Sequence, residues 1–198
     1  MPTHLPQRKS PRLQGYDYAS EGAYFVTICT QNRVHLFGDV VDGEMMLNTL
    51  GCIVETCWDD LPNHYHNIQL DAFVVMPNHI HGIIFISNHD GIVGEGLKPS
   101  PAKPSPAKPS PAKPALTKPI PTKPSLTTPP KHHGLTEIVR GLKTFSARKI
   151  NRVRDTPGTS VWQRSFHDHI IRDPHGLNKI RAYIATNPAR WHADSLFS

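Results

Sequence analysis

Residues 68–86, IQLDAFVVMPNHIHGIIFI, leave few folding options. Both halves are apolar runs of strand length, interrupted only at Met76-Pro77-Asn78. Proline cannot donate to a sheet ladder, so Pro77 belongs to a turn and the stretch reads as a β-hairpin. The second strand then begins almost on His79. Strand side chains alternate between faces, so His79, His81, Ile83 and Phe85 share one face, and Ile80, Gly82, Ile84 and Ile86 share the other. Two imidazoles thus stand together on an apolar hairpin, and a buried polar group costs free energy unless something satisfies it. A divalent metal would satisfy both. A single strand histidine is usually a hydrogen-bonded structural residue; a pair flanked by Ile and Phe favours ligation. The pair alone does not separate zinc from magnesium or manganese, because imidazole suits zinc and copper while magnesium prefers oxygen.

The 198 residues are enough for one compact domain with a real core. The formal net charge of +6 is misleading: seven of the 22 basic residues, and no acid, fall in 98–131, which leaves fifteen basic against 16 acidic elsewhere. Nucleic-acid affinity therefore has to rest on a local patch. Three cysteines, Cys29, Cys52 and Cys57, without a CxxC spacing point to reduced thiols and a cytoplasmic setting. No apolar core follows the early positive charges and no run is long enough to span a bilayer, so neither a signal peptide nor a membrane partner is expected.

Residues 1–22, with Arg8, Lys9, Arg12 and three prolines, read as an irregular basic arm. Ala23 to Thr30 reads as a core strand, and Asp42-Gly43 as a hairpin turn. Asn48-Thr49 caps a helix carrying Leu50, Ile53, Val54, Cys57, Trp58 and Leu61, ended by Pro62. His64-Tyr65-His66 follows in a polar connection and reads as loop. From Lys98 the unit KPSPA repeats and then degrades over 34 residues to Lys131. Such proline density blocks helix and sheet, so 95–133 reads as a disordered Lys/Pro/Ser-rich insertion within a single domain of residues 23–192.

Beyond Gly134, Leu135, Ile138, Val139, Leu142, Phe145, Ser146 and Ile150 recur at helical spacing. Arg140, Lys143, Arg148, Lys149, Arg152, Arg154 and Arg164 accompany only Glu137 and Asp155. This is a local basic patch suited to phosphate contacts, with Arg140, Lys143, Arg148, Lys149, Arg152 and Arg164 as DNA-binding candidates. Ser160 to Ile171 reads as a strand holding another pair, His167 and His169, demoted by its charged neighbours and its lack of a third partner. Asp173 and Pro174 open a last helix through Leu177, Ile180 and Ile184, stopped by Pro188. Tyr183 and Asn187, four apart, lie on one face of it. They offer a hydroxyl nucleophile and an amide oxygen that could complete a metal site, although on spacing alone a structural role is favoured for both.

VVMPNHIHGIIFI, GLTEIVRGLKTFSARKIN, SVWQRSFHDHIIR and AYIATNPARW, in that order, resemble the single-tyrosine HUH transposases, most closely the REP-associated tyrosine transposases of bacteria. HUH denotes His-hydrophobic-His, here His79-Ile80-His81. The resemblance covers roughly residues 12 to 192 apart from the proline-rich insertion, which is not typical of the family. It implies an α+β, ferredoxin-like sandwich whose central antiparallel sheet carries the histidine pair. It implies a metal-dependent endonuclease and strand transferase that recognises single-stranded or hairpin DNA and acts in transposition. By position, Tyr183 matches the nucleophile that forms a 5′-phosphotyrosine. His79, His81 and Asn187 match the ligands for Mg²⁺ or Mn²⁺. A nucleoid-associated protein of the bacterial cytoplasm, monomer or homodimer, fits this reading. Two alternatives stay open: a DNA-hairpin-binding protein of the same fold without activity, and a metal-dependent hydrolase using activated water. A structural-zinc protein is the weakest, since no cysteine sits near the histidines.

Overall fold

The computed structural model describes residues 15–87, 132–194 and 196–197. Most of the basic arm and nearly all of the proline-rich insertion lie outside the described residues.

Four strands form an antiparallel sheet: β1 (Gly22–Cys29), β4 (Ile68–Met76), β5 (His79–Ile86) and β6 (His167–Ile171), in the order β4-β5-β1-β6. Helix α1 (Thr49–Asp59) joins β1 to β4, and α3 (Leu135–Val153) joins β5 to β6. This is the β-α-β-β-α-β ferredoxin-like order, in which each helix carries the chain back over the sheet. A separate hairpin, β2 (Gly38–Val41) and β3 (Glu44–Leu47), precedes α1. Its turn places Asp42 at φ 52° and Gly43 at φ 79°, the left-handed pair that an Asp-Gly hairpin requires.

The alternation expected of the second strand holds along β5 and sorts the core into two layers. Ile80, Ile84 and Ile86 join Val26, Ile28, Trp58, Leu135, Ile138 and Leu142 under α1 and α3. Ile83 joins Ala23, Ile171, Leu177 and Ile184 on the opposite face, under α4 (Pro174–Thr186). Gly82 sits where a side chain would collide with Trp58: an added Cβ would lie 2.3 Å from the indole. Trp58 is itself pinned on Phe73, ring centroids 4.4 Å apart. Gly82→Ala is therefore expected to cost about 1–3 kcal/mol through overpacking, read as a lower denaturant midpoint with an unchanged slope.

Two boundaries differ from the sequence reading. The first helix stops at Asp59, and Pro62 lies inside a short second helix, α2 (Leu61–His64). Proline has no N–H to lose there and its φ suits a first turn. Residues 160–166 are not strand. Trp162 makes one isolated bridge to Thr30, and its indole N–H donates to Ser146 Oγ at 2.9 Å. The carbonyls of Gln163 and Arg164 accept from Lys143 Nζ at 2.6 and 2.9 Å, so a lysine takes the place of a strand neighbour. At the N-terminal end, Tyr16 and Tyr18 pack on Tyr24, and the Tyr18 carbonyl accepts from the Leu135 N–H.

Candidate active site

β5 starts on His79 because the Pro77-Asn78 turn ends there, and period-two alternation then sets His79 and His81 on the α4 face. Both are fully buried, and their Nε2 atoms approach to 3.1 Å. Asn78 Nδ2 donates to the carbonyls of Leu196 (2.7 Å) and Arg33 (3.3 Å), which turns its amide oxygen toward His79. That oxygen lies 2.7 Å from His79 Nδ1 and can only accept, so His79 carries its proton on Nδ1 and presents a bare Nε2. His81 Nδ1 lies 2.8 Å from Thr27 Oγ1, its cross-strand partner. A hydroxyl both donates and accepts, so Thr27 lets His81 carry its proton on either nitrogen. When Thr27 accepts, both Nε2 lone pairs converge, an arrangement that calls for a cation.

α4 brings in the tyrosine. Its Asp173 cap accepts from the Gly176 N–H, and Leu177, Ile180 and Ile184 seat it on the sheet. Tyr183 Oη then lies 3.3 Å from His81 Nε2, with its ring edge-on to Phe25 at 6.1 Å. The side chain is 39% exposed, open to a ligand on its outer side.

Past α4 the chain turns back through a 3-10 segment, Pro188–Ala193. This seats Trp191 beside His79 (5.8 Å) and delivers Asp194. A carboxylate oxygen of Asp194 and one nitrogen from each of His79 and His81 lie within 4.8 Å of one another. Asn187 donates through Nδ2 to Asp194 Oδ2 at 3.1 Å, while its own buried Oδ1 has no hydrogen-bond partner. Two neutral imidazoles, a carboxylate and an orphaned amide oxygen make a donor set that fits a divalent cation of mixed nitrogen and oxygen preference. Asp194 was not anticipated from the sequence. It lies seven residues beyond Asn187 and past a proline, and only the 3-10 turn folds it back.

Burial pushes the His79 pKa down to about 4, with Asp194 opposing and Arg33 reinforcing the shift. Burial, then the neighbouring His79, pushes His81 down to about 3. An unfolded chain takes up these protons below about pH 6.5 while the folded one refuses them, so stability falls as pH drops from about 6.5 towards 4. His79 alone accounts for on the order of 3 kcal/mol across that window. Denaturant unfolding of the metal-free protein between pH 7.5 and 4.5 reads this directly, and a flat profile would contradict the neutral pair. Burial, then the Asp194 charge, raises the Tyr183 pKa, with Asn187 pulling the other way.

The basic candidates do not form one surface. At about 100° per residue, Arg140 and Lys143 lie on one flank of α3, and Arg148, Lys149 and Arg152 on the other, beside the exposed Phe145. The first flank, with Arg164 and Trp162, lines a groove of about 440 Å³. Both flanks belong to the α1/α3 layer, across the sheet from His79 and His81. His167 and His169 are exposed on β6 opposite Thr27 and Phe25, on the face shared with His81. Among the described residues no third donor groups with them. His64 stacks on Phe145 and pairs with Asp60, as an ordinary surface residue. No helix among the described residues is long and apolar enough to cross a membrane.

No family model matches the chain. An uncharacterized protein of Haemophilus influenzae is 37% identical over 196 residues, covering 98% of this chain and 94% of that protein. Among solved structures, a REP-associated tyrosine transposase bound to a REP hairpin aligns with a TM-score of 0.51 at 15% identity, over 90% of this chain and 74% of that one. The chain therefore belongs to the family of the Haemophilus influenzae protein, and its fold is that of the REP-associated tyrosine transposases.

Proposed function

We propose that this protein is a transposase: a metal-dependent single-strand DNA endonuclease and strand transferase that acts on DNA hairpins. The observation that carries the reading is the meeting of Tyr183 Oη with the buried His79–His81 pair beside Asp194. The fold neighbour was solved bound to a REP hairpin, which suggests the class of DNA.

In this reading His79, His81 and Asp194 hold Mg²⁺ or Mn²⁺, with Asn187 completing or bracing the set. The bound cation would supply charge neutralisation at the non-bridging oxygens of a phosphodiester and offset the Asp194 charge that raises the Tyr183 pKa. Tyr183 Oη attacks the phosphorus, the bond to the 3′ oxygen breaks, and a 5′-phosphotyrosine and a free 3′-OH result. The phenol proton leaves through the exposed side of Tyr183, and the departing 3′ oxygen takes up a proton from water. The phosphotyrosine conserves the ester, so an incoming 3′-OH reverses the step without ATP. Phe25 and His81 hold the ring in place, and Trp191 covers His79 from the other side.

The α3 groove, with Arg140 and Arg164 at its rim and Lys143 bracing its wall, is the candidate seat for backbone phosphates. The Phe145 flank, with Arg148, Lys149 and Arg152, offers a second one. The test is cleavage of labelled single-stranded hairpin DNA taken from the gene's own flanks. Cutting in Mn²⁺ that stops in EDTA, with the fully duplexed sequence untouched, is expected. Metal-independent binding without cleavage would instead describe a hairpin-binding protein.

A further inference from the structure

β4 carries one residue too many. Leu70 pairs with Ile84 and Phe73 with Gly82, so three steps along β4 match two along β5. Leu70 and Phe73 both face the α1/α3 layer. The two residues between them, Asp71 and Ala72, are both turned to the α4 side. Ala72 packs in the apolar cluster there, and Asp71 meets Arg181. A regular strand would have sent one of the two to the other face. Bulges of this kind re-aim a side chain, and they concentrate beside active sites.

The contact is a two-armed fork. Arg181 Nε donates to Asp71 Oδ1 at 2.9 Å, and Nη2 donates to Oδ2. Asp71 Oδ1 also accepts from the Ala72 N–H, and the Asp71 side chain is only 10% exposed. Burial alone would raise the Asp71 pKa, but Arg181 and the Ala72 N–H hold it below the ordinary range. The pair is therefore ionised at neutral pH.

Its place on α4 gives it a mechanical role. Leu177, Ile180 and Ile184 form the stripe facing the sheet. At about 100° per residue, Arg181 lies on one side of that stripe and Tyr183 on the other. Arg181 reaches out to β4, and Tyr183 reaches past β5 toward Phe25 on β1. Among the described residues, these two side chains make the hydrogen bonds from α4 to the sheet. An apolar stripe resists lifting but not rolling. Anchoring one flank resists a roll that would move the other.

We propose that Asp71 and Arg181 are positioning residues: the fork fixes the roll of α4 and so sets where the Tyr183 hydroxyl stands against the histidine pair. This rests on the reading of Tyr183 as the nucleophile. The experiment is single-turnover formation of the covalent protein–DNA adduct at saturating Mn²⁺ and hairpin DNA. It compares wild type, Asp71→Asn, Arg181→Gln, the double variant and Arg181→Lys. Dissociation constants for Mn²⁺ and for the DNA, and the melting temperature, are measured alongside.

Adduct formation is expected to slow about 10- to 100-fold in each single variant, the scale of a displacement of about 1 Å. Both dissociation constants should stay within about twofold. The double variant should be no slower than the worse single one, because the two residues act as a unit. Arg181→Lys keeps the charge but loses the fork, and should fall between wild type and Arg181→Gln. Adduct rates within about twofold of wild type would overturn the proposal. So would rate losses fully matched by lost binding or lost folded protein. If Arg181→Gln does not fold, Asp71→Asn, of nearly the same size, gives the same comparison. A wild-type protein that forms no adduct, or an adduct that survives Tyr183→Phe, refutes the nucleophile reading and the fork with it. A normal wild-type adduct with unaffected variants refutes the fork alone.

Discussion

Tyr183→Phe is expected to abolish covalent capture of DNA, lowering adduct formation by about 10³-fold or more, while fold and binding survive. The substitution removes one oxygen from a side chain that is 39% exposed and keeps the ring that packs against Phe25 and His81. Its hydrogen bond to His81 Nε2 is a long one at 3.3 Å. Stability should therefore change by no more than about 1 kcal/mol. A labelled hairpin run on a denaturing gel separates the outcomes. Loss of the shifted band with retained binding supports the tyrosine. Continued strand cleavage by the variant would point to an activated water, with Tyr183 a structural neighbour.

Asp194→Ala is expected to weaken Mn²⁺ binding about 100-fold, and Asn187→Ala about 10-fold, measured by calorimetry at pH 7.5. Asp194 supplies the carboxylate that lies with the histidine nitrogens, whereas Asn187 holds that carboxylate through its amide N–H. Residues that orient a ligand are worth about 10- to 100-fold in metal affinity, and the ligand itself is worth at least as much. The reverse order would mean that the orphaned Asn187 oxygen is the principal ligand and that Asp194 serves it. His79→Ala should exceed both, since it removes a nitrogen donor and leaves the Asn78 amide oxygen without its donor.

The sheet and the histidine pair were legible because they follow from a local rule. Strand alternation plus one proline put His79 and His81 together on one face, and helix caps at Asn48 and Asp173 marked α1 and α4. Tyr183 and Asn187 were legible as a pair on a helix, but their approach to His81 depends on how α4 lies on the sheet. Asp194 and Thr27 were missed because one arrives by a fold-back and the other by a cross-strand register, and neither leaves a periodic trace. Asn78 adjoins His79 in sequence, but the orientation of its amide depends on the distant Leu196 and Arg33 carbonyls. In the basic segment, charges that are close in sequence divide between two flanks of α3, which depends on helix geometry and not on sequence proximity. Lys143 moreover spends its ammonium on two backbone carbonyls. The strand expected at 160–166 failed on that same lysine, which satisfies carbonyls that a ladder would otherwise use.

The central claim is that Tyr183 takes the broken end of a DNA strand onto its own oxygen beside the histidine pair. Peptide mapping by mass spectrometry tests it most directly. Wild-type protein is incubated with Mn²⁺ and a single-stranded hairpin from the gene's flanks, denatured, and digested with nuclease and protease. The peptide containing Tyr183 should carry a nucleotide through its 5′ phosphate, and the mass should be absent when EDTA replaces Mn²⁺. Cleaved DNA with an unmodified Tyr183 peptide, or the nucleotide on another residue, would contradict the account.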